Sequence, residues 1–194
     1  IDRIVDEVVI AEVVSSWSGI PLSKISEEES ARLLKMEDDL KSKIIEIRQK
    51  VVEKISFSNP INEVWEIISK FDDFSWNSDI SKTVSTGNEI GSTRILTFKS
   101  GETLTQSLEK FNSDKKLISW RVQETDLDVF PVNSYQATLI LKENTTGTEL
   151  TYKAGFYRGF MGNNPPEKLN DENSKKKVKT FIKNSIDGLK KILE

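Results

Sequence analysis

Cysteine and histidine are both absent from the 194 residues of this chain. Without cysteine there is no disulfide, no thiolate nucleophile and no zinc–thiolate site. Without histidine the chain lacks the commonest general base near neutral pH and the commonest transition-metal ligand. Catalysis, if any, would run on carboxylates, lysines, tyrosines or water. No apolar run approaches the roughly 20 residues that a membrane-spanning helix needs. The opening residues mix Asp2, Arg3, Asp6 and Glu7 with apolar ones, unlike a secretory signal, so the expected compartment is cytoplasmic. A net charge of -3 gives no reason to expect nucleic-acid binding. Neither Asp72 and Asp73 nor Asp126 and Asp128 has the ligand spacing of a calcium loop. No metal is expected, and nothing in the sequence implies a cofactor.

What is present is enough for a core. Hydrophobic residues make up 36% and charged residues 30%, an ordinary globular mixture. The chain divides in character near residue 48. Residues 1–48 carry 11 acids and 7 bases, net -4, and the remainder 20 acids and 21 bases, net +1. The first part reads as helix throughout. Val5, Val9 and Val13 share a helical face, flanked by Ile10 and Val14, and Gly19 and Pro21 end that segment. Ser26 and Glu29 then form a capping-box pattern, opening a helix with Leu33, Met36, Leu40 and Ile44 on one stripe.

Residues 49–194 mix strands and helices. A strand-like run, VVEKISF, stops at Asn59 and Pro60. Pro60 suits the first turn of a helix, PINEVWEIISKF, whose buried face would be Val64, Ile67, Ile68 and Phe71. Short helices there lead into alternating segments at period two, with glycine turns at Gly91 and Gly101. A long final helix from about Asn170 places Val178, Phe181, Ile182, Ser185, Ile186, Leu189 and Leu193 on one face, and lysines on the other. Asp171 and Glu172 in its first turn favour its dipole. The predicted fold is therefore α+β: about six consecutive antiparallel strands covered by one long C-terminal helix. A curved sheet gripping a single helix leaves a pocket between them.

Strand alternation assigns the inward faces. They hold Arg94, Leu96 and Phe98; Leu104, Gln106 and Leu108; Ile118, Trp120 and Val122; Tyr135, Ala137, Leu139 and Leu141; and Leu150, Tyr152, Ala154 and Phe156. Phe181 and Ser185 on the helix close the space, and Trp76 is placed at its mouth. The candidate ligand-binding set is Trp76, Arg94, Leu96, Phe98, Gln106, Leu108, Trp120, Val122, Tyr135, Ala137, Tyr152, Phe156, Phe181 and Ser185. The plainer alternative makes Trp120, Tyr135 and Tyr152 ordinary core aromatics and sends Arg94 to a surface carboxylate. An inward arginine without a partner costs several kcal/mol, so an acid, a ligand carboxylate or water is expected beside it.

Two resemblances sharpen this reading. IAEVVSSWSGIP, the spacing to SEEESARLLKMEDDL and the ending KSKII resemble the Clp (Hsp100) ATPases of the ClpB and ClpC type over roughly residues 8–45. The resemblance stops at Glu46. No G-x-x-x-x-G-K-S/T phosphate loop occurs in these 194 residues, so no nucleotide cradle is expected. Over residues 50–194 the chain resembles the SRPBCC or START-like helix-grip superfamily. Within it, the polyketide cyclase/dehydrase and MxaD-like branch is nearest. The segments that carry this are SNPINEVWEIISKFDDFSWNSDI, IGSTRILTF, LTQSLEKF, SWRV, SYQATL and the tail from FYRGFMGNNPPEKLND to the end. The resemblance implies a hydrophobic cavity between sheet and helix for an apolar or amphipathic small molecule. It divides the chain into a Clp-like helical appendage, 1–48, and a helix-grip domain, 49–194. The expected function is non-catalytic binding of a small hydrophobic ligand. The alternatives are a cyclase or dehydratase using Arg94, Tyr135 or Tyr152 to polarise a carbonyl, or an adaptor whose N-terminal segment contacts a Clp ATPase.

Overall fold

The computed structural model describes residues 47–162 and 164–194, together with Val13, Ser16 and Trp17. The chain divides into two compact units, Ile1–Ile45 and Glu46–Glu194. In the first, Val13, Ser16 and Trp17 are helical and exposed. The other residues of the two N-terminal helices and of the Clp-like segment lie outside the described residues.

The second unit runs β1 (Gln49–Phe57), α1 (Ile61–Ile68), β2 (Ile80–Ser85), β3 (Thr93–Phe98), β4 (Thr103–Asn112), β5 (Leu117–Thr125), β6 (Val132–Asn144) and β7 (Gly147–Arg158). A 3-10 turn (Glu167–Leu169) then leads to the long helix α2 (Asp171–Leu193). The strands form one seven-stranded antiparallel sheet in the order β1-β7-β6-β5-β4-β3-β2. β1 crosses to pair with β7, which places both termini of the sheet's chain path beside α2. The architecture is the α+β, helix-grip arrangement that the sequence pattern implies.

Local chemistry explains the elements. Pro60 caps α1, where its missing N–H is not needed, and its carbonyl accepts from Glu63 and Val64. Asn170 caps α2, its side chain accepting from the Asn173 N–H at 2.8 Å. Arg158 braces the connection between β7 and α2. It donates to the Phe160 and Gly162 carbonyls at 2.8 Å and to the Asp171 carboxylate at 3.0 Å. Ser174, one turn into α2, donates to the Pro131 carbonyl at 2.6 Å.

Two details differ from the sequence expectation. β2 has no counterpart among the strands read from the alternation. Its pattern, with Ile80 alone buried and a bulge between Ile80 and Lys82, is that of an edge strand with little apolar signal. The second short helix expected before Trp76 is a series of turns after α1, and Ile67, expected on the buried face of α1, is only half-buried, while Val64, Trp65 and Ile68 are buried.

The core lies between the concave face of the sheet and α2. Trp120, Tyr135, Tyr152, Phe156, Leu96, Leu104, Leu139 and Leu150 from the sheet meet Val178, Phe181, Ile182 and Leu189 from the helix. Phe71, Phe74 and Trp76 enter it from the turns after α1.

Candidate functional site

The register sets up the interior. β3 and β4 pair Arg94 directly with Gln106, so two polar side chains face inward side by side. Arg94 Nε donates to Gln106 Oε1 at 2.8 Å, and Arg94 Nη1 donates to the Phe71 carbonyl at 3.0 Å. Three aromatic faces surround the guanidinium: Phe71 at 4.3 Å, Phe74 at 4.2 Å and Trp120 at 4.7 Å from ring centroid to Cζ. Such contacts offset part of the desolvation of a buried cation. Arg94 is 1% exposed, and none of the ion pairs among the described residues includes it. Burial lowers its pKa from 12.5 to about 9, so it remains a cation at neutral pH.

A second polar group sits on β6 and β7. Ala137 and Ala154 face each other across the strands, and Tyr135 and Tyr152 flank that small pair from opposite ends. The two rings lean over the alanines, and their hydroxyls stand 3.5 Å apart. A register shift between Asn133 and Gln136, with Ser134 at φ 50, keeps both Val132 and Tyr135 inward. Burial raises the Tyr152 phenol to about 12 and holds Tyr135 well above its ordinary value. The neighbouring tyrosine adds to the rise at Tyr135. Trp120 connects the two groups, since it lies against Arg94 and edge-on to Tyr152, ring centroids 6.2 Å apart.

A cleft of about 340 Å³ opens beside this interior. Asp79, Phe98, Lys99, Ser100, Val129, Phe130, Lys177, Thr180 and Phe181 line it, from the turn before β2, the end of β3 and the β3–β4 turn, the β5–β6 loop and α2. Phe130 and Phe181, 5.3 Å apart between centroids, form its floor. Behind them, Phe130 contacts Tyr135 at 5.1 Å, and Phe181 stacks on Phe74 at 6.0 Å, the ring that covers Arg94. One ring, Phe130, thus separates the cleft from Tyr135, and two, Phe181 and Phe74, separate it from Arg94.

The residues singled out in the sequence converge on this one interior. Arg94, Leu96, Gln106, Leu108, Trp120, Tyr135, Ala137, Tyr152, Phe156 and Ser185 are buried there, and Val122 is half-buried. Phe98 and Phe181 are the members of that set that also line the cleft. Trp76 is not at a mouth. It is 2% exposed, its ring tilted against Phe74 at 4.2 Å between centroids, with its carbonyl against Gly188 of α2. Ser185 is engaged by Asn77, which donates to it at 2.7 Å and to the Phe181 carbonyl at 3.2 Å, fixing α2 against the turns. The cleft residues that strand parity could not supply are Asp79, Lys99, Ser100, Val129, Phe130, Lys177 and Thr180. They sit on turns or on the outer flank of α2, and only Phe130 carries an apolar signal strong enough to have drawn notice. Among the described residues no group of three or more His, Cys, Asp and Glu side chains is placed to hold a metal ion. No described helix is long and apolar enough to cross a membrane.

A curved antiparallel sheet wrapped on one long helix, with an aromatic-floored cleft at one end, defines a helix-grip protein. Residues 48–194 match the sequence profile of the family described as polyketide cyclase / dehydrase and lipid transport, and the chain belongs to that family. Among solved structures, a protein from Nitrosospira multiformis is similar at 21% identity, TM-score 0.61, covering 75% of this chain and 97% of its own. Norcoclaurine synthase from Thalictrum flavum, in complex with dopamine and hydroxybenzaldehyde, is similar at 11% identity and TM-score 0.57. It covers 79% of this chain and 90% of its own. At these identities the likeness is one of fold. The N-terminal part is similar to the chloroplastic chaperone protein ClpC of Pisum sativum, 62% identical over 42 residues. That stretch is 22% of this chain and 5% of the length of ClpC.

Proposed function

We propose that the helix-grip domain binds a hydrophobic or amphipathic small molecule between the sheet and α2, and performs no chemistry on it. The observation that carries this is the cleft floored by Phe130 and Phe181. Its volume of about 340 Å³ falls in the range of small-molecule sites, and only the rings of Phe130, Phe181 and Phe74 separate it from the tyrosine and arginine groups. Rotation of Phe181 and Phe130 would open the cleft towards the interior.

The protonation of the buried groups supports the non-catalytic reading. A general base must be able to take a proton near neutral pH. The buried titratable groups nearest the cleft are Arg94, Tyr135 and Tyr152, and all three hold their protons there. The buried polar residues are Asn77, Arg94, Gln106, Ser119, Thr148, Thr151, Ser174 and Ser185, with no carboxylate among those described. A cyclase or dehydratase would find donors to polarise a carbonyl in this interior, but the carboxylate that could remove a proton, Asp79, stands out in the cleft and not beside them.

The test is thermal unfolding of the chain against a panel of apolar and amphipathic compounds. Stabilisers should raise the melting temperature in a dose-dependent way, following the linkage of binding to folding. Phe181→Trp, which fills the floor of the cleft, should abolish the shift. A panel in which no compound stabilises the wild-type protein would defeat the reading.

A further inference from the structure

We infer that Arg94 is the anchor for an anionic head group, so that the molecule held in this interior is an amphipathic organic acid bound through its carboxylate. This deepens the proposed binding function and rests on it.

The interior has an electrical deficit of one sign. Arg94 Nη2, Gln106 Nε2 and Trp120 Nε1 are all buried and without a hydrogen-bond partner. Each is a donor, and none of the three residues leaves an acceptor unmet. They belong to one cluster: Gln106 is hydrogen-bonded to Arg94, and Trp120 lies 4.7 Å from its guanidinium carbon. Trp76 Nε1, one ring further out beside Phe74, is a fourth buried donor without a partner. Among the described residues the remaining unpartnered atom of this kind, Glu102 Oε2, is on the β3–β4 turn. Buried polar groups in folded proteins are overwhelmingly paired, so a cluster of orphans with one polarity marks a place shaped for an acceptor.

Charge then distinguishes between acceptors. A neutral carbonyl or a hydroxyl could satisfy N–H groups, but it would leave the cation without an ion-pair partner, with only the field of the Asp73 carboxylate beyond contact distance. A buried charge without a counter-charge is among the costliest features a fold can contain. Two of the guanidinium's three nitrogens are committed, Nε to Gln106 and Nη1 to the Phe71 carbonyl, both neutral partners. Nη2 is the free corner. The faces of the ion are covered by Phe71, Phe74 and Trp120, so an incoming acceptor must meet it at the edge, in the plane of its N–H bonds. That is the geometry in which arginine recognises carboxylates.

The approach favours an anion as well. Lys99 and Lys177 stand at the cleft against one acid, Asp79. Between them and Arg94 lie Phe130, Phe181 and Phe74, an apolar passage suited to the body of the ligand. Acid head and apolar tail are therefore matched by separate parts of the same interior.

The experiment compares two acids, decanoate and 2-naphthoate, with their methyl esters, by calorimetric titration of the full chain at neutral pH. The esters keep the body and remove the charge. The wild-type protein should bind an acid about 10-fold more tightly than its ester, or better, as expected for an ion pair out of water. Arg94→Gln should bind ester and acid alike. Gln106→Glu supplies a carboxylate from within, beside Arg94 Nε, and should melt higher than wild type while losing the preference for acids. It also covers the case in which Arg94→Gln does not fold. Equal affinity for acid and ester in the wild-type protein, or an acid preference that survives in either variant, would overturn the assignment and leave the pocket standing. Failure of both acids and both esters to bind would remove the pocket reading and this one with it.

Discussion

At the scale of single residues, the interior is governed by what burial does to polar groups. Tyr135 and Tyr152 show it most simply. Their hydroxyls are 3.5 Å apart, a long contact, so the neutral pair contributes little. Their effect appears in alkali. The folded protein keeps the Tyr152 proton up to about 12, whereas an unfolded tyrosine releases it near 10.0. The raised value means that this contribution is fully present below pH 10 and is lost as pH rises towards 12. Arg94 works the other way: its folded value of about 9 lies below 12.5, so its contribution improves with pH above 9. Comparing Tyr152→Phe with wild type isolates the tyrosine. The variant should unfold at nearly the wild-type urea midpoint at pH 8. Between pH 10 and 12 its stability should fall less steeply, by about 1.4 kcal/mol per pH unit. Parallel curves for the two proteins would mean that Tyr152 ionises in the folded state as freely as in water. The inward direction of these residues was legible in the sequence because strand parity is a strict period of two. Their partners were not, since pairing Arg94 with Gln106 depends on register.

At the scale of elements, the long helix and five of the central strands announce themselves through apolar periodicity. What the pattern could not convey is how closely α2 approaches the turns after α1. Gly188 is the evidence. A Cβ placed there would stand 1.9 Å from the Trp76 carbonyl oxygen, a backbone atom with little room to move. On an exposed helix, replacing glycine by alanine stabilises by about 1 kcal/mol. Here the sign should reverse. Gly188→Ala must push α2 away from Trp76 and disturb the hydrogen bonds from Asn77 to Ser185 and to the Phe181 carbonyl. A loss of about 1–3 kcal/mol is expected, as for other overpacked cores, read as a lowered melting temperature. A stabilised variant would show that the helix sits further from the turn. From the sequence alone this glycine looks like a weak point in a helix, because the residue that requires it is over a hundred positions away. β2 was illegible for a related reason: an edge strand with one buried residue carries almost no alternation.

At the scale of the whole molecule, the question is which residues the helix-grip domain needs. Its described hydrophobic core runs from Val51 to Leu189, with Leu193 packed against it, and its sheet is complete from Gln49 to Arg158. β1 fills the edge beside β7 in full register, Gln49 opposite Phe156 through Phe57 opposite Thr148. Arg48 reaches across β7 to Gln136 and packs over Gly155, so its contacts belong with the sheet. The family profile begins at the same place, residue 48. The sequence reading drew the boundary between 48 and 49, where charge and periodicity change, and a cut there would remove Arg48. We therefore expect residues 46–194, produced alone, to melt within a few degrees of the full chain and to bind the same acids with the same affinity. A chain starting at Gln49 should melt lower, since it loses the Arg48 contacts at the edge of the sheet. Differential scanning calorimetry of the three proteins decides it. If 46–194 fails to fold while the full chain folds, the Clp-like segment is part of the domain's architecture, and its sequence likeness to a larger ATPase would then report a packing surface that this protein has reused.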